Sequence, residues 1–234
     1  MKTAIITGVT GQDGLYLSKL LLENNCKVYG FVRNLDSLNL KNFERLNISE
    51  DINFIQSDLL NLTYTLELIK EIKPDEIYNL AAQSSVGISF SNPMGTYNFN
   101  TISVNNILES VRLLGINTKI YQASSSEMFG EVSQLPITLN TPMNPLSPYA
   151  VSKVSSYFMT HVYRDSYNIN ISNGILFNHE SVFRRDNFFV KKVIKTALKI
   201  KDGTEKELRV GNLNIKRDFG FAPEYVKAMF LMLK

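Results

Sequence analysis

Short apolar runs alternate with longer amphipathic patterns along most of this chain, and this alternation limits the possible folds more than any other feature. Runs of strand length such as TAIITG, KVYGFVR and EIYNLAA are separated by helical patterns such as GLYLSKLLLENN and TYTLELIKEIK. Strands that are apolar throughout are buried on both faces, and strands that alternate with helices pair in parallel. The sequence therefore predicts an α/β fold with a doubly wound parallel sheet.

The alternation ends with the run INISNGILF, whose last residue is number 177. The next stretch, NHESVFRRDNFF, is polar and loop-like, and FVKKVIKTALKI has the pattern of an amphipathic helix with a lysine face. We therefore predict one domain over residues 1–177 and the start of a smaller domain over residues 178–234. The chain ends within a helical pattern, PEYVKAMFLMLK, so we expect the natural protein to continue.

Charge and cysteine content restrict the partners and the compartment. The 234 residues carry a formal net charge of +3 without a lysine or arginine run, so no nucleic-acid partner is predicted. No apolar run reaches the length of a membrane span, and no charged-then-apolar leader opens the chain. Cys26 is the single cysteine, which favours a packed thiol in a reducing compartment. We expect a soluble, cytoplasmic protein without a membrane partner.

Three glycines mark the turn between the first predicted strand and the first predicted helix. Gly8, Gly11 and Gly14 lie in TGVTGQDG with the spacing GxxGxxG. Glycines at such a turn let backbone amides approach a pyrophosphate at a helix N-terminus. A plain tight turn would carry the same glycines, but their place in the first βαβ unit favours a dinucleotide site. The first domain is therefore predicted to be a Rossmann-type, dinucleotide-binding domain.

Two polar residues at the ends of the next strands bear on the identity of the dinucleotide. Arg33 follows the second strand, where an acidic residue would bind the ribose 2′-hydroxyl of NAD and an arginine accommodates the 2′-phosphate of NADP. NADP is therefore favoured, with a solvated surface arginine as the alternative. Asp58, after the third strand, is predicted either to hydrogen-bond the adenine or to cap the next helix.

A tyrosine and a lysine form the predicted proton-transfer pair. Tyr149 and Lys153 lie four residues apart in SPYAVSK, on one face of a helix that Pro148 can begin. An ammonium near a phenol stabilises the phenolate and lowers the pKa of the phenol, which makes the tyrosine a usable base. Upstream, the run QASSSEMFG places Glu127 after three serines. A solvent-facing loop or N-cap glutamate is the alternative for this carboxylate.

The other polar candidates are open to two interpretations. Ser84 and Ser85 are predicted to contact cofactor phosphate or sugar hydroxyls, or to cap the following segment. His161 and His179 are the two histidines, and neither has a second ligand at metal-binding spacing. No metal site is predicted, and His161 is expected to be structural.

Together these motifs resemble those of the extended short-chain dehydrogenase/reductases. The longer runs ITGVTGQDG, KPDEIYNLAAQSSVGISF, QASSSEMFG, SPYAVSK, NGILFNHES and GNLNIKRDFG closely resemble the GDP-mannose 4,6-dehydratase family, and the similarity extends over essentially the whole chain. Members of that family are longer, with further C-terminal sequence that helps to close the sugar-nucleotide site. The resemblance implies NADP as cofactor, a nucleotide sugar as substrate, and a homodimer or homotetramer.

The resemblance also implies roles for individual residues. The catalytic residues would be Ser125, where the family usually has threonine, together with Glu127, Tyr149 and Lys153. The cofactor would contact Gly8, Thr10, Gly11, Gln12, Asp13, Gly14, Arg33, Asp58, Leu59, Leu80, Ala82, Ser84, Tyr149, Lys153 and His179. The substrate would contact Ser85, Glu127, Asn178, Lys191 and Arg217. The chain departs from the family at Arg33-Asn34, in place of paired arginines, and at residues 182–185, in place of Pro-Arg-Arg-Gly.

The implied reaction is the conversion of GDP-mannose to GDP-4-keto-6-deoxymannose with loss of water. Tyr149 would take the C4 hydroxyl proton, while Glu127 would take the C5 proton and help to expel the C6 hydroxyl. Because a reductase or 4-epimerase can manage with serine and tyrosine, Glu127 is the discriminating residue, although related decarboxylases also carry a glutamate there. The alternatives are a relative acting on another nucleotide sugar such as a GDP-heptose, an epimerase, a decarboxylase, or a catalytically idle cofactor-binding scaffold.

Overall fold

Six parallel strands form the centre of the molecule. The structure, a computed structural model, describes residues 1–211 and 213–234. The strands are β1 (Lys2–Thr7), β2 (Cys26–Val32), β3 (Ile52–Gln56), β4 (Glu76–Asn79), β5 (Lys119–Ser125) and β6 (Ile171–Leu176). Their order across the sheet is β3-β2-β1-β4-β5-β6, and each neighbouring pair is parallel. The predicted doubly wound parallel sheet is confirmed, and its strand order reverses between β1 and β4, where ligands bind in such folds.

Helices cover both faces of the sheet. They are α1 (Gln12–Glu23), α2 (Lys41–Arg45), α3 (Leu62–Ile72), α4 (Val86–Ser91), α5 (Pro93–Leu114), α6 (Pro148–Tyr167), α7 (Phe189–Lys201) and α8 (Ala222–Leu231), with a short 3₁₀ helix at Ser126–Phe129. Successive residues of β1 belong to different apolar clusters, because strand side chains alternate between faces. Ala4 and Ile6 pack with the cluster that includes α1 and α8, and Ile5 packs with the cluster that includes α3 and α5.

Side-chain caps set the starts of α3 and α6. Asn61 Oδ1 accepts a hydrogen bond from the third residue of α3 at 3.0 Å, so Asn61 and not Asp58 is the N-cap. The helix-capping alternative for Asp58 is therefore wrong, because Asp58 lies three residues too early in the chain. Ser147 Oγ accepts from the backbone N–H of Ala150 at 3.1 Å and caps α6, whose first residue is Pro148.

The chain after β6 forms a small second sheet and then returns to the first. Strands β7 (Asn178–Glu180) and β8 (Phe219–Phe221) pair in parallel, and every residue of α7 is at least partly exposed. Helix α8 packs against α1, and its Val226 and Met229 belong to the main core. The boundary between residues 177 and 178 stays a prediction. Within residues 1–211 and 213–234, no helix combines the length and apolar character needed to cross a membrane.

Candidate active site

The glycine turn after β1 brings α1 close to the sheet. Gly8 has φ +69°, and a Cβ atom there would lie 2.9 Å from the backbone nitrogen of Ala81. A Cβ atom on Gly14 would lie 2.5 Å from the carbonyl oxygen of Val9. Gly11 precedes α1 as its N-cap and has no side chain that could satisfy the first N–H groups of the helix. These groups suit a pyrophosphate, and the exposed Thr10 lies in the same turn.

The predicted adenosine end lies at the carboxyl ends of β2 and β3. Arg33 directly follows β2 and is exposed. Asp58 is also exposed, and its Oδ1 accepts a hydrogen bond from the backbone N–H of Leu60 at 3.0 Å. Leu59 is buried against the core. Because β2 and β3 are neighbours, Arg33 and Asp58 share one edge of the sheet.

The loop after β4 carries the next predicted contacts. It begins with a hydrogen bond of 3.1 Å from the backbone N–H of Leu80 to Thr7 Oγ1. Leu80 and Ala82 are half-buried, whereas Ser84 is exposed. Ser85 Oγ accepts a hydrogen bond of 3.3 Å from the third residue of α4, so the capping interpretation of Ser85 is confirmed. The role of Ser84 stays open.

Three of the four predicted catalytic residues, Ser125, Glu127 and Tyr149, meet at the end of β5. Ser125 is the last residue of β5 and is buried, and its hydroxyl acts on Tyr149 by lowering the pKa of the phenol. Ser125 Oγ also accepts from the backbone N–H of Glu127 at 3.2 Å, which starts the 3₁₀ helix. Tyr149 lies in the first turn of α6 and is 7% exposed. The short turn after β5 thus places a hydroxyl and a carboxylate beside a buried phenol.

The electrostatic surroundings of Tyr149 differ from the expectation. Burial raises the pKa of Tyr149, and so does the charge of Glu127. The Ser125 hydroxyl and the charge of Arg184 lower it, and the net pKa is raised. Lys153 lies with its Nζ 5.9 Å from the centre of the Tyr149 ring and donates to a backbone carbonyl instead. The expectation that Lys153 lowers the pKa of the phenol is therefore not met in this arrangement.

A buried row of polar side chains leads to the same backbone carbonyl. Thr7 Oγ1 donates to Asn79 Oδ1 at 2.6 Å, and Asn79 Nδ2 donates to Gln122 Oε1 at 2.7 Å. The carbonyl oxygen of Ala123 then accepts from Gln122 Nε2 at 3.1 Å and from Lys153 Nζ at 2.8 Å. Burial lowers the pKa of Lys153 to about 8. The row crosses β1, β4 and β5 and sets the position of the lysine.

The first turn of α1 is joined to β7 through His179. Asp13 Oδ2 lies 2.9 Å from His179 Nε2, and Gln12 Nε2 donates to the His179 carbonyl at 2.9 Å. The His179 ring stacks on Tyr225 with 4.4 Å between ring centres. Burial lowers the pKa of His179, but the hydrogen bond and charge of Asp13 outweigh it and raise the net pKa. The structure thus brings together three of the predicted cofactor residues, Gln12, Asp13 and His179.

The predicted substrate residues lie on the second sheet and on α7. Asn178 is half-buried in β7 and pairs with Phe219 of β8. Arg217 lies two residues before Phe219 and is exposed. Lys191 belongs to α7, and its Nζ donates to the carbonyl oxygen of Val182 at 2.8 Å. Asn178 therefore lies in the small sheet and Arg217 lies just before its second strand, while Lys191 is turned toward the loop before α7.

Sequence comparison decides the family. A family model described as GDP-mannose 4,6 dehydratase matches residues 5–234. The chain belongs to the GDP-mannose 4,6-dehydratase family. It is 43% identical over 240 residues to the GDP-mannose 4,6-dehydratase of Vibrio cholerae serotype O1, with 100% of this chain and 64% of that protein covered. It is 41% identical over 241 residues to the GDP-mannose 4,6 dehydratase of Cricetulus griseus, with 100% of this chain and 65% of that protein covered. The chain thus spans a little less than two thirds of these relatives.

Solved structures share the fold. The UDP-glucuronic acid 4-epimerase from Bacillus cereus, in complex with UDP-glucuronic acid and NAD, superimposes with a TM-score of 0.86 at 26% identity. The superposition covers 99% of this chain and 73% of the epimerase chain. The dTDP-glucose 4,6-dehydratase from Bacillus anthracis gives a TM-score of 0.85 at 23% identity, with 100% of this chain and 72% of the dehydratase chain covered. This second likeness concerns the fold alone.

A half-buried ion pair near the site was not predicted from the sequence. Arg184 Nε lies 3.4 Å from Glu180 Oε2, and its guanidinium lies 3.6 Å from the centre of the Phe188 ring. Burial raises the pKa of Glu180 and lowers that of Arg184, and the charge of Arg184 acts on Tyr149. Arg184 falls within residues 182–185, where the chain departs from the family pattern. The four-residue spacing from Glu180 was no signal for this pair, because i,i+4 spacing brings side chains together on a helix and residues 180–184 are not helical.

Proposed function

We propose that the chain is an NADP-dependent sugar-nucleotide 4,6-dehydratase that converts GDP-mannose to GDP-4-keto-6-deoxymannose with loss of water. The observation that carries this proposal is the meeting of Ser125, Glu127 and the buried Tyr149 at the end of β5. An oxidation at C4 requires a base for the hydroxyl proton, and an elimination requires a second acid–base group. The family membership and the fold support the same reaction.

Tyr149 is proposed as the base for the C4 hydroxyl. The chemistry that a bound nicotinamide supplies is reversible two-electron redox, first at C4 and then at C6 of the sugar. The Ser125 hydroxyl, which has a single proton to donate, would donate it to the oxygen at C4 when the sugar is bound. Because burial raises the pKa of Tyr149, nearby positive charge is needed to favour the phenolate, and the charge of Arg184 acts in that direction.

Glu127 is proposed as the second acid–base group. A keto group at C4 acidifies the proton at C5, and the carboxylate of Glu127 would remove it. The resulting carboxylic acid would protonate the C6 hydroxyl, which leaves as water. Well-placed proton transfer contributes about 10²–10⁴-fold to a rate, so the loss of this group has a measurable effect.

The residues at the glycine turn fit a dinucleotide. The close approach at Gly8 and the glycine N-cap of α1 leave backbone N–H groups for a pyrophosphate. Arg33 supports NADP because its exposed guanidinium follows β2, where a 2′-phosphate is accommodated in such folds. Asp58 would hydrogen-bond the adenine. The nucleotide sugar would contact Asn178 of the second sheet and Arg217 just before β8.

We also propose a homodimer or homotetramer in the cytoplasm. Residues 84–108, which include α4 and most of α5, contain no charged side chain. Phe90 and Met94 are 62% and 66% exposed, and Phe158 of α6 is 55% exposed. An uncharged surface with several exposed apolar side chains is typical of an interface. The buried single cysteine, Cys26, supports a reducing compartment.

The product of the reaction tests the proposal. The chain is incubated with NADP and a panel of GDP-, UDP- and dTDP-linked sugars that includes a GDP-heptose, and products are weighed by mass spectrometry. We expect a product lighter by one water from GDP-mannose. Loss of water from a different nucleotide sugar would move the assignment to that substrate, and a change of configuration without loss of water would indicate an epimerase.

Two variants separate the two halves of the reaction. Glu127→Gln is expected to form the 4-keto sugar that still carries its C6 hydroxyl, with slow deuterium exchange at C5 in deuterated water. Tyr149→Phe is expected to stop before the 4-keto sugar while the cofactor stays bound. Dehydration by Glu127→Gln at the wild-type rate would make Glu127 an ordinary loop carboxylate. More than about a hundredth of the wild-type rate in Tyr149→Phe would exclude Tyr149 as the base.

A further inference from the structure

A buried asparagine on α5 holds the loop that follows β4. Asn100 is 2% exposed, and its Oδ1 accepts from the backbone N–H of Gln83 at 2.8 Å. Its Nδ2 donates to the carbonyl oxygen of Gln83 at 3.1 Å. One side chain therefore satisfies both backbone groups of a single loop residue. The same loop contains Ala82, Ser84 and Ser85, which were predicted to contact cofactor or substrate.

The side chain of Gln83 continues this network within the loop. Its Oε1 accepts from the backbone N–H of Ser85 at 2.6 Å, and its Nε2 donates to the Ser85 carbonyl at 3.1 Å. The same Nε2 also donates to Thr96 Oγ1 on α5 at 2.9 Å. The loop is thus closed on itself and tied to α5 at two points.

Helix α6 joins the network through two serines. Asn100 Nδ2 also donates to Ser152 Oγ at 2.9 Å, and Ser152 Oγ donates to the carbonyl oxygen of Tyr149 at 2.6 Å. Ser156 Oγ donates to the carbonyl oxygen of Asn100 at 2.9 Å. A continuous chain of hydrogen bonds therefore runs from the β4 loop through Asn100 to the backbone of Tyr149.

The burial of this network indicates that it sets the position of the β4 loop relative to α6. Ser152 is fully buried, and Asn100 and Ser156 are each 2% exposed. The amide of Asn100 has its oxygen and both of its N–H groups engaged by the contacts described above. Apolar side chains would pack α5 against α6 equally well, whereas a fully paired polar network selects one arrangement. The loop and Tyr149 are far apart in sequence, so contacts of this kind determine their relative position.

We propose that Gln83, Asn100 and Ser152 form a clasp between the β4 loop and the first turn of α6, and that Asn100 is a positioning residue for the reaction. The clasp holds the loop that faces cofactor and sugar at a set distance from the phenol of Tyr149. The catalytic part of this inference rests on the proposed dehydratase function. The clasp itself is testable without any turnover.

The first test is amide hydrogen exchange in the ligand-free chain. Ser152→Ala removes the hydroxyl that joins Asn100 to Tyr149 and keeps the packing of α6. Ser110→Ala is the matched control, because Ser110 is a fully buried serine of α5 that donates to its own helix, to the Asn106 carbonyl, at 2.6 Å. We expect the backbone N–H of Gln83 to exchange at least about tenfold faster in Ser152→Ala and at the wild-type rate in Ser110→Ala.

The second test is steady-state kinetics of water loss from GDP-mannose. We expect kcat to fall about 10- to 100-fold in Asn100→Leu and less in Asn100→Asp, since a displacement of about 1 Å at a reacting centre costs up to about 10²-fold. KM for the nucleotide sugar should change less than kcat, because the contacts on the small sheet that carries Asn178 are kept while only the loop that carries Ser85 is released. Asn100→Leu combined with Ser152→Ala should be no slower than Asn100→Leu, since both act through one network.

Each outcome decides a separate point. Wild-type exchange of the Gln83 amide in Ser152→Ala would overturn the clasp, whatever the activity. Faster exchange with unchanged kcat in that variant would overturn the positioning role. If the wild-type chain dehydrates no nucleotide sugar, the proposed function fails, while the exchange result still decides the clasp. Ser152→Ala carries both tests if Asn100→Leu does not fold.

Discussion

Lys153→Met is expected to make the fold more stable at neutral pH even though it removes a proposed catalytic residue. Lys153 is 5% exposed, and burial lowers its pKa from 10.5 to about 8. Below pH 8 the folded protein holds a desolvated ammonium that the unfolded chain exposes to water. Linkage between these two pKa values gives a destabilisation of about 3 kcal/mol at pH 7 and about 1.5 kcal/mol at pH 9.5.

The sign follows from proton binding. Between pH 8 and pH 10.5 the unfolded chain holds more protons at Lys153 than the folded chain, so the free energy of unfolding rises with pH in this window. Methionine removes the charge and also the hydrogen bond to the Ala123 carbonyl, which contributes about 1–1.5 kcal/mol. The variant should therefore be about 2 kcal/mol more stable than the wild type at pH 7, with the difference close to zero at pH 9.5.

Urea unfolding at pH 7 and pH 9.5 measures this difference directly. Lys227→Met removes an exposed ammonium from α8 and serves as the control for the loss of one lysine. A difference between Lys153→Met and the wild type that is the same at both pH values would refute the reasoning. Lys153 would then be solvated in solution, and its hydrogen bond with Ala123 would not be maintained.

Two further predictions concern the dinucleotide end. Arg33→Asp should weaken NADP binding and leave NAD affinity equal or better, as measured by titration with each cofactor; an equal loss of both would make Arg33 structural. Gly14→Ala should destabilise the fold by about 1–3 kcal/mol in urea unfolding, because its Cβ would lie 2.5 Å from the Val9 carbonyl oxygen. Gly87→Ala is the control, since a Cβ there meets Ser85 Oγ at 3.9 Å, and equal stability of the two variants would contradict the close approach of α1.

Local spacing was sufficient to predict the elements that carry the site. The apolar runs gave strands of the expected type because a strand buried on both faces needs apolar residues throughout, and β1 with Ile5 and Ile6 is such a strand. Pro148 begins α6, so Tyr149 and Lys153 lie on one helix as their spacing predicts. The N-cap of α3 was missed because Asp58 and Asn61 both carry suitable side chains, and the geometry of the turn selects Asn61.

The sequence by itself determined the parallel sheet, the glycine turn and the order of the proposed catalytic residues, because periodicity and short spacings act within one strand or helix. Only the tertiary structure decided which groups surround Tyr149. Arg184 acts on the phenol from a loop far along the chain, and Asn100 is linked through Ser152 to the backbone carbonyl of Tyr149. No sequence spacing predicts either contact. The raised pKa of Tyr149 has the same origin, since burial depends on how separate elements pack around a residue and not on its neighbours in the chain.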